Sequence, residues 1–241
     1  VFAQSFQEAV DIGPRRELFI DHALLASLKD AELRAAIPVD AGTAIAFDRP
    51  WEGAFSAYTT IVAFDNRFRM YYRGSPRSGS DGNSNEVTAC ADSSDGVHWT
   101  RPELRLFPLP DAPVNNVILA GQAPFSHNFS PFFDARPGVP ENQRFKALAG
   151  IHKSGLWAFT CADGLRWTKV GREPALPSPK EFAFDSQNVS FWSQHEGRYI
   201  CYFRTWKKVG GVNYRWISRA SSYDFFHWRA DGEIDFAGAP P

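Results

Sequence analysis

The sequence contains few of the residues that mark disulfide-rich, metal-binding or membrane proteins. It has three cysteines among 241 residues, and no C-x-x-C pair or Cys/His metal spacing occurs. An odd number of cysteines cannot pair completely, so we expect no disulfide framework and interpret Cys90, Cys161 and Cys201 as small core hydrophobes. No apolar run approaches the roughly 20 residues that a membrane-spanning helix needs. The sequence therefore predicts no membrane insertion.

The chain also lacks an excess of positive charge. Its 26 Lys and Arg residues are balanced by 27 Asp and Glu residues, which gives a formal net charge of −1. Proteins that bind nucleic acid or anionic membrane surfaces need a surplus of Lys and Arg, so neither partner is expected. There is no G-x-G-x-x-G pattern and no Walker loop, and the stretch 121–130 has no nucleophile-elbow pattern.

At the N-terminus, Val1-Phe2-Ala3 followed by Gln4 fits the small-x-small end of a signal peptide whose apolar part is missing. The alternative is an ordinary frayed terminus. The first interpretation makes this an exported protein, which predicts a secreted or periplasmic location.

Aromatic residues are abundant, with 21 Phe, 8 Trp and 7 Tyr, and some of them belong to a repeat. The stretches SSDGVHWT, CADGLRWT and SSYDFFHW each place an Asp four residues before a Trp, at Asp95, Asp163 and Asp224. Three strand-like segments precede each copy. In chain order these segments are 58–65, 67–75 and 85–93, then 128–135, 144–152 and 155–163, then 188–195, 198–206 and 214–222.

Each repeat therefore predicts three strands, an Asp-containing turn and a short fourth strand that carries the Trp. Four antiparallel strands repeated about every 60–70 residues are typical of a β-propeller blade. An Asp in such a turn accepts backbone N–H bonds, and the Trp packs between neighbouring blades. We predict that the three Asp residues are structural.

The predicted organisation has an N-terminal segment followed by blades. The first segment is expected to hold a strand at 17–20 and a short helix at 22–36, for which Asp21 is a suitable N-cap. Three blades cannot close a ring without exposing sheet edges, so we expect the chain to be part of a longer propeller or to close through a second copy. The predicted units are 1–47 and 48–241, the latter with blades at about 48–110, 111–175 and 176–241.

The motif S-x-D-G-x-x-W at the predicted turn between strands three and four resembles the blades of the five-bladed propeller glycosidases, which are glycoside hydrolase families 32, 43, 62 and 68. The strings LFIDHALL, DRPWEG, HNFSPFFD, FDSQNVSFW and RWISRASSYDFFHW are similar to exported bacterial proteins described as family-32-like or family-43-like. The resemblance covers the chain from about residue 17 onward. It implies an all-β fold of the five-bladed β-propeller type, with about three four-stranded blades visible in this chain. The family 32 motifs W-M-N-D-P-N-G, R-D-P and E-C are absent, so the resemblance does not identify catalytic residues.

Candidate catalytic acids follow from the geometry of a propeller, in which the first strand of each blade lines the central channel and starts at one mouth. Glycoside hydrolysis needs two carboxyl groups, one ionised and one protonated. By position, Asp48 before the first blade matches the ionised carboxylate, and Asp185 before the third blade matches the acid. Glu52 is a rival to Asp48, and Glu181 is a rival to Asp185. The structural alternative for Asp48 is a salt bridge to Arg49.

Other polar and aromatic residues near the predicted mouth are candidates for substrate binding. They are Trp51, Arg73, His127, Asn128, Asp134, Gln187, Asn188 and Arg204. A tryptophan face can stack on a sugar ring, a guanidinium can hold a carboxylate, and the charge of a histidine is tunable. The structural alternatives are a core tryptophan, arginines that bridge blades, a hydrogen-bonded channel histidine and amides that satisfy neighbouring backbone.

The residues and the resemblance together predict a carbohydrate-active protein, a glycoside hydrolase that cleaves an oligo- or polysaccharide with paired carboxylates at the channel mouth. The alternatives are a non-catalytic glycan-binding propeller and a propeller used as a protein-interaction platform. Hydrolysis requires two carboxyl groups roughly 5–10 Å apart across a pocket, which distinguishes these functions. No cofactor is expected: such folds can hold Ca²⁺ in the channel, but no acidic loop in this sequence specifies it.

Overall fold

The computed structural model describes residues 11–13, 18, 22, 24–185 and 187–236. Backbone contacts divide the chain into two units, Val1–Gly42 and Thr43–Pro241. No helix long and apolar enough to cross a membrane occurs in the described ranges.

The short helix predicted at 22–36 is wrong, because none of the described residues of that segment is helical. Leu24, Leu28 and Leu33 are all exposed, so the segment buries no apolar face. Helices of this length are marginal in water unless such a face is packed. The signal-like residues 1–4 and most of the predicted strand at 17–20 lie outside the described residues, as does Asp21.

The second unit is built from antiparallel β-strands. The twelve strands are β1 Ala57–Phe64, β2 Arg67–Gly74, β3 Val87–Ser93, β4 Val117–Leu119, β5 Ser130–Phe133, β6 Phe145–Ala149, β7 Trp157–Cys161, β8 Thr168–Val170, β9 Val189–Ser193, β10 Arg198–Val209, β11 Val212–Ser222 and β12 Arg229–Glu233. The described residues form three four-stranded sheets, β1 to β4, β5 to β8 and β9 to β12, each a meander in chain order. This confirms the prediction of an all-β fold with three four-stranded blades.

The first strands of the three sheets, β1, β5 and β9, are the strands through which neighbouring sheets meet. We call them the inner strands. β1 lies against β5, and β5 lies against β9. The hydroxyl oxygens of Thr60 in β1 and Ser130 in β5 are 3.3 Å apart. As a result, the starts of the three inner strands lie close together.

Apolar side chains fill the space between adjacent blades. Between the first and second blades, Tyr71 and Cys90 pack with Phe145 and Cys161. A second cluster, formed by the second and third blades, contains Leu148, Leu156, Tyr199, Cys201, Phe203 and Phe225. All three cysteines are buried and free, as predicted, and burial raises the pKa of Cys90 to about 12.

The repeated Asp is the centre of the turn between the third and fourth strands of each blade. The Asp163 carboxylate accepts the backbone N–H groups of Leu165 and Arg166, at 2.8 and 2.9 Å. Asp95 and Asp224 accept the equivalent pairs of N–H groups. These bonds satisfy the turn backbone locally, which explains why the same residue recurs at this position.

The middle turn also docks on the preceding blade. The Tyr71 hydroxyl donates to the Gly164 carbonyl at 3.0 Å, and Arg69 donates to the Asp163 carbonyl at 2.8 Å. Arg69 is in turn held by two hydrogen bonds to Asp92, at 2.6 and 3.0 Å. The turn therefore joins blades as well as strands.

Candidate functional site

Each of the three blades contributes one polar side chain to a common group. Asp81, His127 and Asp185 come from the first, second and third blades, and one ligand atom of each lies within 4.8 Å of the others. We call these three residues the mouth group. Asp185 and His127 precede inner strands, whereas Asp81 lies in the loop between β2 and β3. The mouth group is assembled entirely by packing between blades.

His127 is the most buried member of the group, with 1% of its surface exposed. Its Nδ1 atom lies 2.9 Å from Glu86 Oε1 and 3.1 Å from Arg73 Nη1. Its Nε2 atom lies 3.8 Å from Asp81 Oδ1 and has no hydrogen-bond partner within the described ranges. One ring nitrogen is thus anchored in the first blade while the other points into the mouth group.

The two aspartates of the group have opposite pKa displacements. A hydrogen bond with Asp185, together with burial, raises the pKa of Asp81. Burial also acts to raise the pKa of Asp185, but the hydrogen bond with Asp81 and the charge of Arg204 outweigh it and lower that pKa. Arg204 Nη1 lies 2.5 Å from Asp185 Oδ2. These opposite displacements favour the proton on Asp81 and the negative charge on Asp185.

Tyr58 closes one side of the group in an unusual backbone conformation. Its φ angle is 58°, in the left-handed region that aromatic residues rarely adopt. Its hydroxyl donates to the Asp185 carbonyl at 3.2 Å, and the Arg73 guanidinium lies 4.6 Å from its ring centre. Burial raises the pKa of Tyr58, so the phenol stays neutral. Strained residues of this kind are concentrated at functional sites.

Of the three amides predicted to bind substrate, two form hydrogen bonds between blades and one is fully buried. Gln187 Nε2 donates to the Tyr58 carbonyl at 3.3 Å, and Asn128 Nδ2 donates to the Phe184 carbonyl at 2.7 Å. Each of these bonds joins two blades. Asn188 is fully buried, and neither amide atom has a hydrogen-bond partner in the described part of the chain.

The structure separates Asp48 and Glu52 into different environments. The Asp48 side chain is 63% exposed and pairs with Arg49 at 3.6 Å and with Arg101 at 3.5 Å. Glu52 is fully buried, receives two hydrogen bonds from Arg101 at 2.7 and 2.8 Å, and accepts the Tyr72 hydroxyl at 2.6 Å. Within the described residues, both acids contact the first blade and its flanking loops rather than the mouth group.

Two further candidates belong to buried hydrogen-bond networks. The Trp51 indole N–H donates to Asn116 at 2.8 Å. Asp134 follows the end of β5, opposite to the end that His127 precedes, and accepts bonds from Lys146 at 3.0 Å and Tyr199 at 2.7 Å. The Asp134 network connects the second and third blades.

A cavity of about 350 Å³ opens next to the mouth group on the third blade. Gln187 and Arg204 line it together with Tyr202, Val189 and Ile217. Pockets with aromatic walls and a few polar groups are the usual form of small-ligand sites.

Sequence reasoning missed Asp81, Glu86 and Tyr58. A signal for Tyr58 exists, because aligning Thr60 with the serines that follow Asn128 and Asn188 by two residues places Tyr58 level with both amides. Asp81 and Glu86 lie in a loop rich in glycine and asparagine that has no counterpart in the other repeats. Only the folding of that loop over the inner strands brings them to the site.

No protein-family model and no curated protein matches the chain. Among the solved structures that are similar in fold, two illustrate the likeness. One is a complex of BT0996 with RGII, with 12% identity and a TM-score of 0.52 over 82% of this chain and 60% of that protein. The other is a β-fructofuranosidase from Schwanniomyces occidentalis complexed with fructosyl-erythritol, with 14% identity and a TM-score of 0.51 over 78% of this chain and 37% of that protein. The chain therefore spans less than two thirds of either structure, and the likeness confirms the resemblance in fold to propeller-type glycosidases.

Proposed function

We propose that the chain forms part of a carbohydrate-active enzyme that hydrolyses glycosidic bonds at the mouth of the propeller channel. The observation that carries this proposal is the pairing of Asp81 and Asp185, whose pKa values are displaced in opposite directions. A protonated and an ionised carboxyl group side by side are what glycoside hydrolysis uses. Neighbours that share the fold include a β-fructofuranosidase, which is consistent with this chemistry.

In this proposal the two carboxyl groups have different roles. Asp185, held ionised by Arg204, acts as nucleophile or base, and Asp81 protonates the leaving oxygen. The two acids now share a hydrogen bond, whereas hydrolysis needs them roughly 5–10 Å apart. Asp81 lies in a loop with 56% of its side chain exposed, so an incoming sugar can separate the pair.

The cavity beside the mouth group is the proposed sugar subsite. Tyr202 offers an apolar ring face of the kind on which sugar rings stack, and Gln187 and Arg204 offer donors for hydroxyl oxygens. The substrate is thus an oligo- or polysaccharide with one residue seated next to Asp185.

The same proposal includes the wider architecture. We infer a five-bladed propeller to which this chain contributes three blades, because the third blade leaves Val189, Phe191 and Ile217 exposed on one sheet face. Val189 and Ile217 also line the cavity, so the proposed subsite lies between the third blade and the next one. Export from a bacterial cell to a secreted or periplasmic location is supported by the residues Val1-Phe2-Ala3 alone.

A non-catalytic glycan-binding propeller is the second candidate. The close contact between Asp81 and Asp185 favours it, because this arrangement leaves no room for a glycosidic bond between the two carboxyl groups. The absence of the family 32 motifs from the sequence agrees with it.

Release of reducing sugar from a polysaccharide panel by the full-length protein tests the proposal. Asp185→Asn and Asp81→Asn are each expected to lower the rate at least about 100-fold, whereas Asp48→Asn keeps it. Because Asp81 must hold a proton, the wild-type rate is expected to fall on the alkaline side of the optimum. Loss of activity in Asp48→Asn alone would restore Asp48 as the ionised catalytic carboxylate. Binding of glycan without any release would select the second candidate.

A further inference from the structure

We propose that the mouth group, Asp81, His127 and Asp185, binds a divalent transition metal, for which Zn²⁺ is the best match. The donor set is one imidazole nitrogen and two carboxylate oxygens. Imidazole suits Zn²⁺ and other transition metals, whereas Ca²⁺ prefers an all-oxygen shell. Three protein ligands with a fourth position left open are also the usual form of a catalytic zinc site.

The spacing of the donor atoms fits such an ion. Ligands at about 2.1 Å from a tetrahedral Zn²⁺ are about 3.4 Å from one another. His127 Nε2 and Asp81 Oδ1 are 3.8 Å apart, and one donor atom from each of the three residues lies within 4.8 Å of the others. Small side-chain rotations therefore complete the coordination, because Asp81 is on a loop and Asp185 precedes a strand.

The second, independent observation is the state of His127 Nε2. The residue is 99% buried, and this nitrogen has no hydrogen-bond partner within the described residues. Leaving a buried polar atom unpaired costs free energy, and 3.8 Å to Asp81 is too long for a hydrogen bond. A nitrogen lone pair that faces a carboxylate oxygen at this distance is stabilised by a cation between the two.

The environment of Nδ1 prepares His127 for this role. With the proton on Nδ1, His127 donates to Glu86 Oε1 at 2.9 Å, and the Nε2 lone pair is then directed at Asp81 and Asp185. A carboxylate behind the imidazole is the common outer-shell partner of a metal-bound histidine. Arg73 Nη1 lies 3.1 Å from the same Nδ1 atom and can only donate, so a hydrogen bond between these two atoms needs the other tautomer, with the proton on Nε2. Metal binding would select the form protonated on Nδ1.

Binding of Zn²⁺ to the full-length protein, measured by competition with a chromophoric chelator, tests this inference. We expect one ion per chain, and at least a tenfold loss of affinity in Asp81→Asn and in His127→Gln. Glu86→Gln is expected to weaken binding 10- to 100-fold through the orientation of His127. His98→Gln is the matched control, because His98 is exposed and pairs with Asp95 in a hairpin turn.

The variants and a spectroscopic measurement keep the test decisive. Asp81 is more than half exposed, so Asp81→Asn is expected to fold even where His127→Gln does not. X-ray absorption of the bound Zn²⁺ should show nitrogen and oxygen neighbours without sulfur, which excludes the buried cysteines. Unchanged affinity in Asp81→Asn, sulfur ligation, or binding of Ca²⁺ in place of Zn²⁺ would each overturn the inference. A bound ion would occupy the carboxylates of both Asp81 and Asp185, so the metal-bound state and the hydrolytic state of the mouth group are alternatives. Because affinity is measured without substrate, a failure of metal binding is separate from a failure of the hydrolase proposal.

Discussion

Glu52 and Asp48 are four residues apart, but one is buried and paired while the other is exposed to solvent. Glu52 is fully enclosed and satisfied by Arg101 and Tyr72, while Asp48 stands in solvent beside Arg49. A buried carboxylate is tolerated only when it is paired, and removal of its charge leaves its partner uncompensated. An exposed pair at 3.6 Å contributes little, because water screens it.

Glu52→Gln is therefore expected to lower the free energy of unfolding by about 3 kcal/mol, because Arg101 loses its counter-ion in a mostly buried position. Asp48→Asn, the matched control, is expected to change it by less than about 1 kcal/mol. Urea unfolding followed by tryptophan fluorescence measures both. Equal effects of the two substitutions would contradict the structural assignment of Glu52.

Asp134 provides a residue-scale prediction about pH. Burial acts to raise its pKa, but Arg136, Tyr199 and Lys146 outweigh burial and lower it from 3.8 to about 2. A carboxyl group with a lowered folded-state pKa stabilises the protein above about pH 4 and loses that stabilisation as pH falls towards 2. The unfolding free energy of the wild type should therefore drop over this range by an amount that includes on the order of 2 kcal/mol from Asp134. Asp134→Asn should show a correspondingly shallower drop when urea unfolding is repeated at several pH values, and parallel curves would refute this.

Among the elements, the Asp-containing turns have the same local conformation but different neighbours. Gly96 and Gly164 follow the repeated Asp, and their φ angles are 79° and 71°. A Cβ atom on Gly96 would meet Phe68 at an ordinary 3.6 Å. A Cβ atom on Gly164 would meet the buried Tyr71 hydroxyl at 2.5 Å, because this turn docks on the first blade.

Alanine at these two positions separates the local role of the turn from its role between blades. Gly96→Ala is expected to cost about 1–2 kcal/mol, from the left-handed backbone alone. Gly164→Ala adds the displacement of Tyr71, and its cost is expected to be about 3 kcal/mol or more. Chemical denaturation of both variants gives the comparison. If the two costs are the same, the docking of the middle turn does not stabilise the fold.

At the scale of the whole molecule, the third blade presents an uncovered sheet face. Val189 and Phe191 are two residues apart in β9 and therefore point to the same face of the sheet. Ile217 in β11 pairs with Arg204 of β10, which places its side chain on that face as well, and all three residues are exposed. The equivalent faces between the first and second blades, and between the second and third, are packed. Contiguous apolar surface of this kind promotes association.

The 241-residue chain is accordingly expected to associate as its concentration rises, through the face that holds Phe191 and Ile217. Phe191→Lys and Ile217→Lys should each shift the equilibrium towards monomer, since they place a charge on that face. Light scattering after size exclusion measures the mass. Val97→Lys, at an exposed apolar residue in a hairpin turn, is the control and should leave the mass distribution unchanged. A monomeric wild type at all concentrations would argue against an interacting face.

The strands and their turns were predictable because the information is local. The alternation of apolar residues and the Asp of each turn lie within a few residues of the structure that they specify, as with Asp163 and its bonds to Leu165 and Arg166. The segment 22–36 shows the limit of such reasoning. Its pattern suggested a helix, but a short helix needs a packed face, and the described part of that segment buries none.

The site depends on packing between blades and could be predicted only in part. His127 and Asp185 were recognisable because each stands at the start of an inner strand, a position that the repeat itself reveals. Asp81 and Glu86 were not, because a loop without a counterpart in the other repeats carries them there. The repeat alignment marks the position of Tyr58, but not the left-handed backbone that the residue adopts in β1. The sequence by itself determined the strands, the hairpin turns and the repeat, since these follow from contacts between near neighbours. Tertiary structure alone decided which acids are paired, buried or open to solvent, because that depends on residues that are far apart in the chain.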